Sequence, residues 1–299
     1  MVSLPSTARR ERVANPARTG RLSRARLSGL IGTIALYVIL IVLAALFLVP
    51  FYLIVRNALM TQPEITSFTW NWLPKSAQWQ NFRDLFRDVP MGQGLKNSAI
   101  IADVTFVFQI LFASMAGYAL ARIPARGREV VFAILLSTLM IPTAVTFVPT
   151  YAVVSYLGGV STLWGIIVPG LFSVFSTFLF RQFYLDFPSE LEEAARLDGA
   201  GYFRIYWSLL LPNSIGIIVA LGALSFIFSW NSFLWPLVIG QEPSSQTVQV
   251  MISGFLTAQT INLPELFAGA AVAAAPLVIL FLILQRYISE GVRLSGIKG

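Results

Sequence analysis

The chain has 299 residues, 56% of them apolar and 12% charged, with a formal net charge of +7 and a mean hydropathy of +0.73. A soluble domain carries about 25% charged residues, so the composition excludes an ordinary water-soluble enzyme. Cysteine and histidine are both absent, which excludes disulfides, thiolate or imidazole catalysis, and metal sites built on those ligands.

The first segment, 1–28, mixes Arg9, Arg10, Arg12, Arg18, Arg21, Arg24 and Arg26 with Pro, Ser and Ala. It lacks apolar periodicity and is expected to be a disordered basic tail facing anionic lipid. Beyond it the charges thin out. None lies between Arg26 and Arg56, Glu129 and Arg181, Arg204 and Glu242, or Glu265 and Arg286, and Asp103 alone interrupts Lys96 to Arg122. A bilayer span needs roughly 20 apolar residues. These windows predict six transmembrane helices near 29–55, 97–121, 130–155, 162–181, 213–240 and 265–286, within a permease domain covering 29–290. Asp103 is expected near the outer interface. Residues 291–299 form a short C-terminal tail.

Orientation follows from lysine and arginine. One side collects the N-terminal arginines, Arg122, Arg126, Arg128, Arg181, Arg196, Arg204, Arg286, Arg293 and Lys298; the other collects Arg56, Lys75, Arg83, Arg87 and Lys96. The positive-inside rule then places both termini in the cytoplasm and accounts for the basic charge without nucleic acid. The outer loops become 57–96, with Trp70, Trp72 and Trp79 suited to the membrane–water interface, and 241–264. Pro142, Pro149, Pro169, Pro236 and Pro276 lie in or beside spans. Singly they predict kinks; together they predict a flexible bundle lining a cavity.

The cytoplasmic loop 182–212 differs from the others. Ser189 and Glu192 have capping-box spacing, acids fill the first turn, and Leu191, Ala194, Ala195 and Asp198 are expected on one face. Gly199 or Gly201 should stop this helix. A second short helix is expected from Tyr202, with Tyr202, Phe203, Ile205, Tyr206 and Leu209 as its apolar stripe. The pair reads as an elbow outside the bilayer. Its acidic first helix is poorly suited to rest on anionic lipid.

At these residues the chain resembles the integral membrane permease subunits of ABC importers, in particular the carbohydrate (maltose-type) family. Glu193-Ala194-Ala195 is followed by Gly199, then by Leu209, Leu211 and Pro212 at the family spacing, with Leu209 where isoleucine is usual. Asp198-Gly199-Ala200, the segment Trp230 to Pro236, and the ending from Gln285 add to the likeness, which runs from Leu30 to Gly299. The resemblance implies an all-α membrane fold, a sugar or polyol-type solute as cargo, and a coupling helix in which Glu193, Ala194, Ala195, Asp198, Gly199, Leu209 and Pro212 engage an ATPase. It implies a second homologous permease, two ABC ATPase subunits and an extracytoplasmic solute-binding protein as partners, the last reached by 241–264. No cofactor is expected on this chain, since it lacks a phosphate-binding Gly-x-x-x-x-Gly-Lys-Ser/Thr loop; ATP and magnesium belong to the ATPase subunits. Gln109, Trp230, Asn231 and Trp235 are candidates for the substrate pathway, weighed against ordinary helix packing. An ion-coupled secondary transporter is the alternative, disfavoured because no pair of carboxylates lies within the predicted spans.

Overall fold

The computed structural model describes residues 16–256 and 261–295. In chain order the helices are α1 (Pro16–Ala58), α2 (Gln62–Thr66), α3 (Gln80–Asp88), α4 (Met91–Arg122), α5 (Arg128–Thr138), α6 (Thr143–Tyr156), α7 (Leu163–Ile167), α8 (Val174–Leu185), α9 (Ser189–Leu197), α10 (Tyr202–Ile205), α11 (Leu211–Asn213), α12 (Ile215–Trp230), α13 (Leu234–Ile239), α14 (Val248–Ser253) and α15 (Leu263–Ser295). A 3₁₀ turn, Val168–Gly170, extends α7, and a π-helical turn, Tyr206–Leu210, joins α10 to α11. Met1–Leu53 forms one compact unit and Ile54–Gly299 a second. α1 supplies the described part of the first unit; the packing described below belongs to the second. The expected basic tail divides: 1–15 lie outside the described residues, as do 257–260 and 296–299, while the backbone of 16–28 belongs to α1.

Among the described residues three helical stretches are long and apolar enough to cross a membrane: Gly32–Ala58, Met91–Arg122 and Leu263–Gln285. Three bent pairs meet the same criterion together: α5 with α6 at 98°, α7 and its 3₁₀ turn with α8 at 40°, and the segment Tyr202–Asn213 with α12 at 78°. Reading each pair as one broken span brings the number to six. The breaks have local causes. Pro142 is the residue before α6 and Pro169 sits in the 3₁₀ turn, and proline lacks the N–H that would continue the ladder. Where backbone leaves the helix at membrane depth, its freed polar groups need protein or a water-filled cavity.

α4 is the axis of the second unit, packing against α8 and α12. The α4–α8 contact depends on Gly117, where an added Cβ would lie 2.7 Å from Phe180 Cβ and 2.9 Å from Arg181 N. In lipid there is no hydrophobic gain from bringing apolar helices together, so such close backbone approach supplies the dispersion contact that holds them. Around it Ala113, Tyr118, Phe180, Tyr184, Ile205, Tyr206 and Leu210 form one buried cluster. A second unites Leu85, Met91, Ala102, Trp230, Val248, Met251 and Ala268.

The loop 241–264 is thus partly drawn inward. Val248 and Met251 of α14 are buried, Asn97 Nδ2 donates to the carbonyls of Ser244 (2.9 Å) and Gln246 (2.8 Å), and Val248 N donates to Ser98 Oγ at 2.9 Å. Gln62 brackets the start of α15, donating to Ile261 O (3.1 Å) and accepting from Leu263 N (3.0 Å). In 57–96, Arg56 lies 4.4 Å over the Trp70 ring and donates to Asn71 O at 2.6 Å, while Trp72 and Trp79 are exposed. Asp103 is exposed on α4 beside an apolar hollow lined by Phe106, Gly222, Phe226 and Leu280.

Candidate functional site

The elbow is built on α9 and the turns after it. The expected capping box does not form. Pro188 is the cap residue, with no side-chain acceptor, and Ser189 is already inside the helix. Glu192, freed from that role, turns inward. It is buried, 3.2 Å from Arg122 Nε and 3.8 Å from Arg196. Arg122, the last residue of α4, also donates to Tyr184 O at 2.8 Å and to Phe187 O. One guanidinium therefore joins the carbonyl end of α8, the chain entering α9, and α9 itself.

The stop is Gly199, at φ +81°, a left-handed conformation that glycine adopts without a Cβ clash. Ala200 N donates to Ala195 O (2.9 Å) and Gly199 N to Arg196 O (3.0 Å), the paired bonds of a Schellman ending. Glu193, Ala194 and Asp198 are exposed together with Leu191 and Leu197, the latter 90% exposed. Ala195 departs from the expected face and packs against the first cluster. The solvent side of α9 is thus a small-residue, apolar and acidic surface; its other side is fastened to α4.

The second arm also differs from expectation. Ile205 and Tyr206 are buried as predicted, but Phe203 is 69% exposed and Leu210, rather than Leu209, is fully buried. The π-helical turn explains the exchange of Leu209 for Leu210, because its i→i+5 bonding shifts the stripe by one residue; Phe203 lies before it on α10. Tyr206 Oη and Ser114 Oγ share a hydrogen bond of 2.7 Å, Tyr118 Oη donates to Tyr202 O at 3.3 Å, and Tyr118 stacks on Tyr206 with centroids 5.7 Å apart. Leu209 is half-buried and Pro212 exposed. Nearby, Arg181 Nη2 donates to both carboxylate oxygens of Glu129 (2.8 and 2.9 Å), and the guanidinium lies 4.0 Å over Phe132.

The second feature is a cavity of ≈ 810 Å³ reached by α4, α6, α8, α12 and the breaks between half-helices. Gln109 and Trp235 line it. Gln109 Nε2 donates to Gly170 O at 2.9 Å, and Trp235 Nε1 to Gly165 O at 3.3 Å. The other two pathway candidates are placed elsewhere. Trp230 is buried, donating to Ala273 O at 3.0 Å and stacking on Phe226. Asn231 faces out, donating to Ile227 O and accepting from Gln249. The hydroxyl lining was missed by sequence reasoning: Thr143, Thr146 and Thr150 on α6, and Ser225, Ser229 and Ser232 on and just after α12. The signal was present, since both sets recur at three- and four-residue intervals in otherwise apolar segments, one helical face each.

Residues 109–294 match the family model for the binding-protein-dependent transport system inner membrane component. The chain is 36% identical over 203 residues to the arabinooligosaccharides transport system permease protein AraQ of Halalkalibacterium halodurans, covering 68% of this chain and 73% of that one. It is 30% identical over 265 residues to the sn-glycerol-3-phosphate transport system permease protein UgpE of Yersinia pestis bv. Antiqua, covering 85% and 94%. Among solved structures it superposes on a chain of a bacterial ABC transporter involved in import of the acidic polysaccharide alginate, with a TM-score of 0.76, 20% identity, and 88% and 96% coverage. The broken-helix bundle, the elbow and these matches together make the chain a member of the family of binding-protein-dependent transport system inner membrane components.

Proposed function

We infer that this chain is one permease subunit of an ATP-driven importer carrying a sugar or polyol-type solute inward. Six spans cross the membrane with both termini in the cytoplasm; α5 with α6 and α7 with α8 each count as one, and the fifth runs through α12 with the elbow arm Tyr202–Asn213 left outside the bilayer. The observation that carries the reading is the exposed face of α9, with Glu193, Ala194 and Asp198 presented beside Leu191 and Leu197. An apolar face rimmed by acids, held rigidly from behind by Arg122, suits a protein groove with basic margins better than anionic headgroups.

Two ATPase subunits dock below, with ATP and magnesium held on them alone, and a second permease completes the bundle. An extracytoplasmic binding protein delivers solute above. ATP binding closes the ATPase pair, and the elbow biases the bundle between its states by the difference in contact free energy it makes in each. Mild-detergent co-purification with mass spectrometry tests the assembly: an ABC ATPase and a second permease are expected. Glu193→Lys should abolish ATP-dependent uptake in proteoliposomes while leaving membrane abundance unchanged. Solute accumulation by the chain alone, driven by an ion gradient, would overturn the reading.

A further inference from the structure

We propose that the cavity among α4, α6, α8 and α12 is a solute compartment of this chain that selects uncharged, multiply hydroxylated solutes over phosphorylated or carboxylated ones. The proposal rests on the importer reading and deepens it. The relatives leave the point open, being named for an oligosaccharide in one case and sn-glycerol 3-phosphate in another; the alginate transporter of the same fold handles an acidic polysaccharide.

The wall chemistry decides it. Gln109 has its amide nitrogen held by Gly170 O at 2.9 Å, so Oε1 is left as a fixed acceptor. Thr150 Oγ1 spends its proton on Thr146 O at 2.7 Å, leaving lone pairs to accept. Ser225 is 7% exposed, and its hydroxyl has no hydrogen-bond partner. That oxygen is closed off by its neighbours and lies behind the wall, so the acceptors open to a solute are those of Gln109 and Thr150. Trp235, its N–H engaged by Gly165 O and its ring set edge-on to Phe147 with centroids 5.5 Å apart, offers an apolar surface to the C–H face of a sugar ring.

None of the lining residues is charged. A phosphate or carboxylate entering this space would shed water without meeting a lysine or arginine, and burial of an unpaired charge is strongly unfavourable. The positive ends of α6 and α8 reach the same wall, which opposes the proposal in sign. Their partial charge is a fraction of the full charge on an anion, and the Ser176 amide of α8 is already capped by Ser173 Oγ at 3.1 Å. A solute with several hydroxyls donates to these acceptors without needing a countercharge.

The absence of native cysteine permits a direct test. In the full chain, purified with its co-isolating subunits, a Ser229→Cys variant places a thiol on the cavity wall, and a Ser76→Cys variant places one on an exposed loop. Modification by methyl methanethiosulfonate is followed by mass spectrometry with raffinose, arabinotriose, sn-glycerol 3-phosphate or galacturonate at matched high concentration. At least one neutral oligosaccharide is expected to slow modification at Ser229→Cys several-fold, with neither anion doing so and no solute affecting Ser76→Cys. Adding Gln109→Leu should remove most of that protection. Failure of both neutral solutes to protect, or protection by either anion as strong as theirs, overturns the proposal. Modification reports on the compartment rather than on ATP-driven uptake. Loss of protection with ATP-dependent uptake intact therefore sinks the compartment alone, whereas an absent ATPase partner sinks the importer.

Discussion

Glu192 and Glu190 are two residues apart on α9 and have different surroundings. The Glu192 side chain is 5% exposed and paired with Arg122, whereas Glu190 is exposed. Removing one member of a buried pair costs about 3–5 kcal/mol because the other charge is stranded; an exposed substitution stays within about 0.5 kcal/mol. Glu192→Gln is therefore expected to lower the unfolding temperature of the solubilised protein clearly, and Glu190→Gln to leave it unchanged, in a thermal-shift measurement. Gly199→Val forces a β-branched residue to φ +81°, at about 1–2 kcal/mol for the left-handed backbone. The expected result is normal membrane insertion with ATP hydrolysis no longer matched by uptake, measured on the same vesicles. Gly199 was legible from its spacing after Glu193-Ala194-Ala195. The inward turn of Glu192 was not, since its partner Arg122 lies far away in sequence and only the tertiary contact reveals it.

Among the elements, the long apolar stretches were read closely and the short ones poorly. The span expected at 97–121 is α4, Met91–Arg122; the charge-free windows located both halves of the first two broken pairs, while of the third they located α12, its partner Tyr202–Asn213 having been read as part of the elbow. Their bends were foreshadowed by Pro142 and Pro169, but an angle such as 98° depends on what surrounds the break, which periodicity does not encode. The expected face of α9 was displaced at Ala195, and the stripe of the second arm slipped at the π-helical turn, where local bonding departs from the 3.6-residue repeat. Gly117→Ala tests the α4–α8 contact. Its Cβ would meet Phe180 Cβ at 2.7 Å, and overpacking of that kind costs about 1–3 kcal/mol, which a lowered unfolding temperature and a higher yield of dissociated subunits would register. The short helix α2 carries a proton-linked contact. Hydrogen bonds from Thr61 first, and then from Lys75 N, hold the Glu64 carboxyl below its ordinary value. A depressed carboxylate stabilises the loop above its unfolded pKa of about 4.3 and loses that contribution as pH falls through its folded value. Local opening near Lys75 should therefore increase on acidification below that range, and Glu64→Gln should abolish the dependence, as read by hydrogen exchange.

For the molecule as a whole, α4 is fastened at both extremities. Asn97 grips the backbone at Ser244 and Gln246 near one end, and Arg122 grips the backbone at Tyr184 and Phe187 at the other. With 32 residues the helix is about 48 Å long, enough to cross the bilayer and leave a collar on either side. A continuous helix is stiff along its axis, and α4 carries no internal proline, whereas α6 and the similarly long α15 do. Gripped at both ends and unbroken between them, α4 resists shortening, and bending in the bundle falls to the helices that are broken into halves.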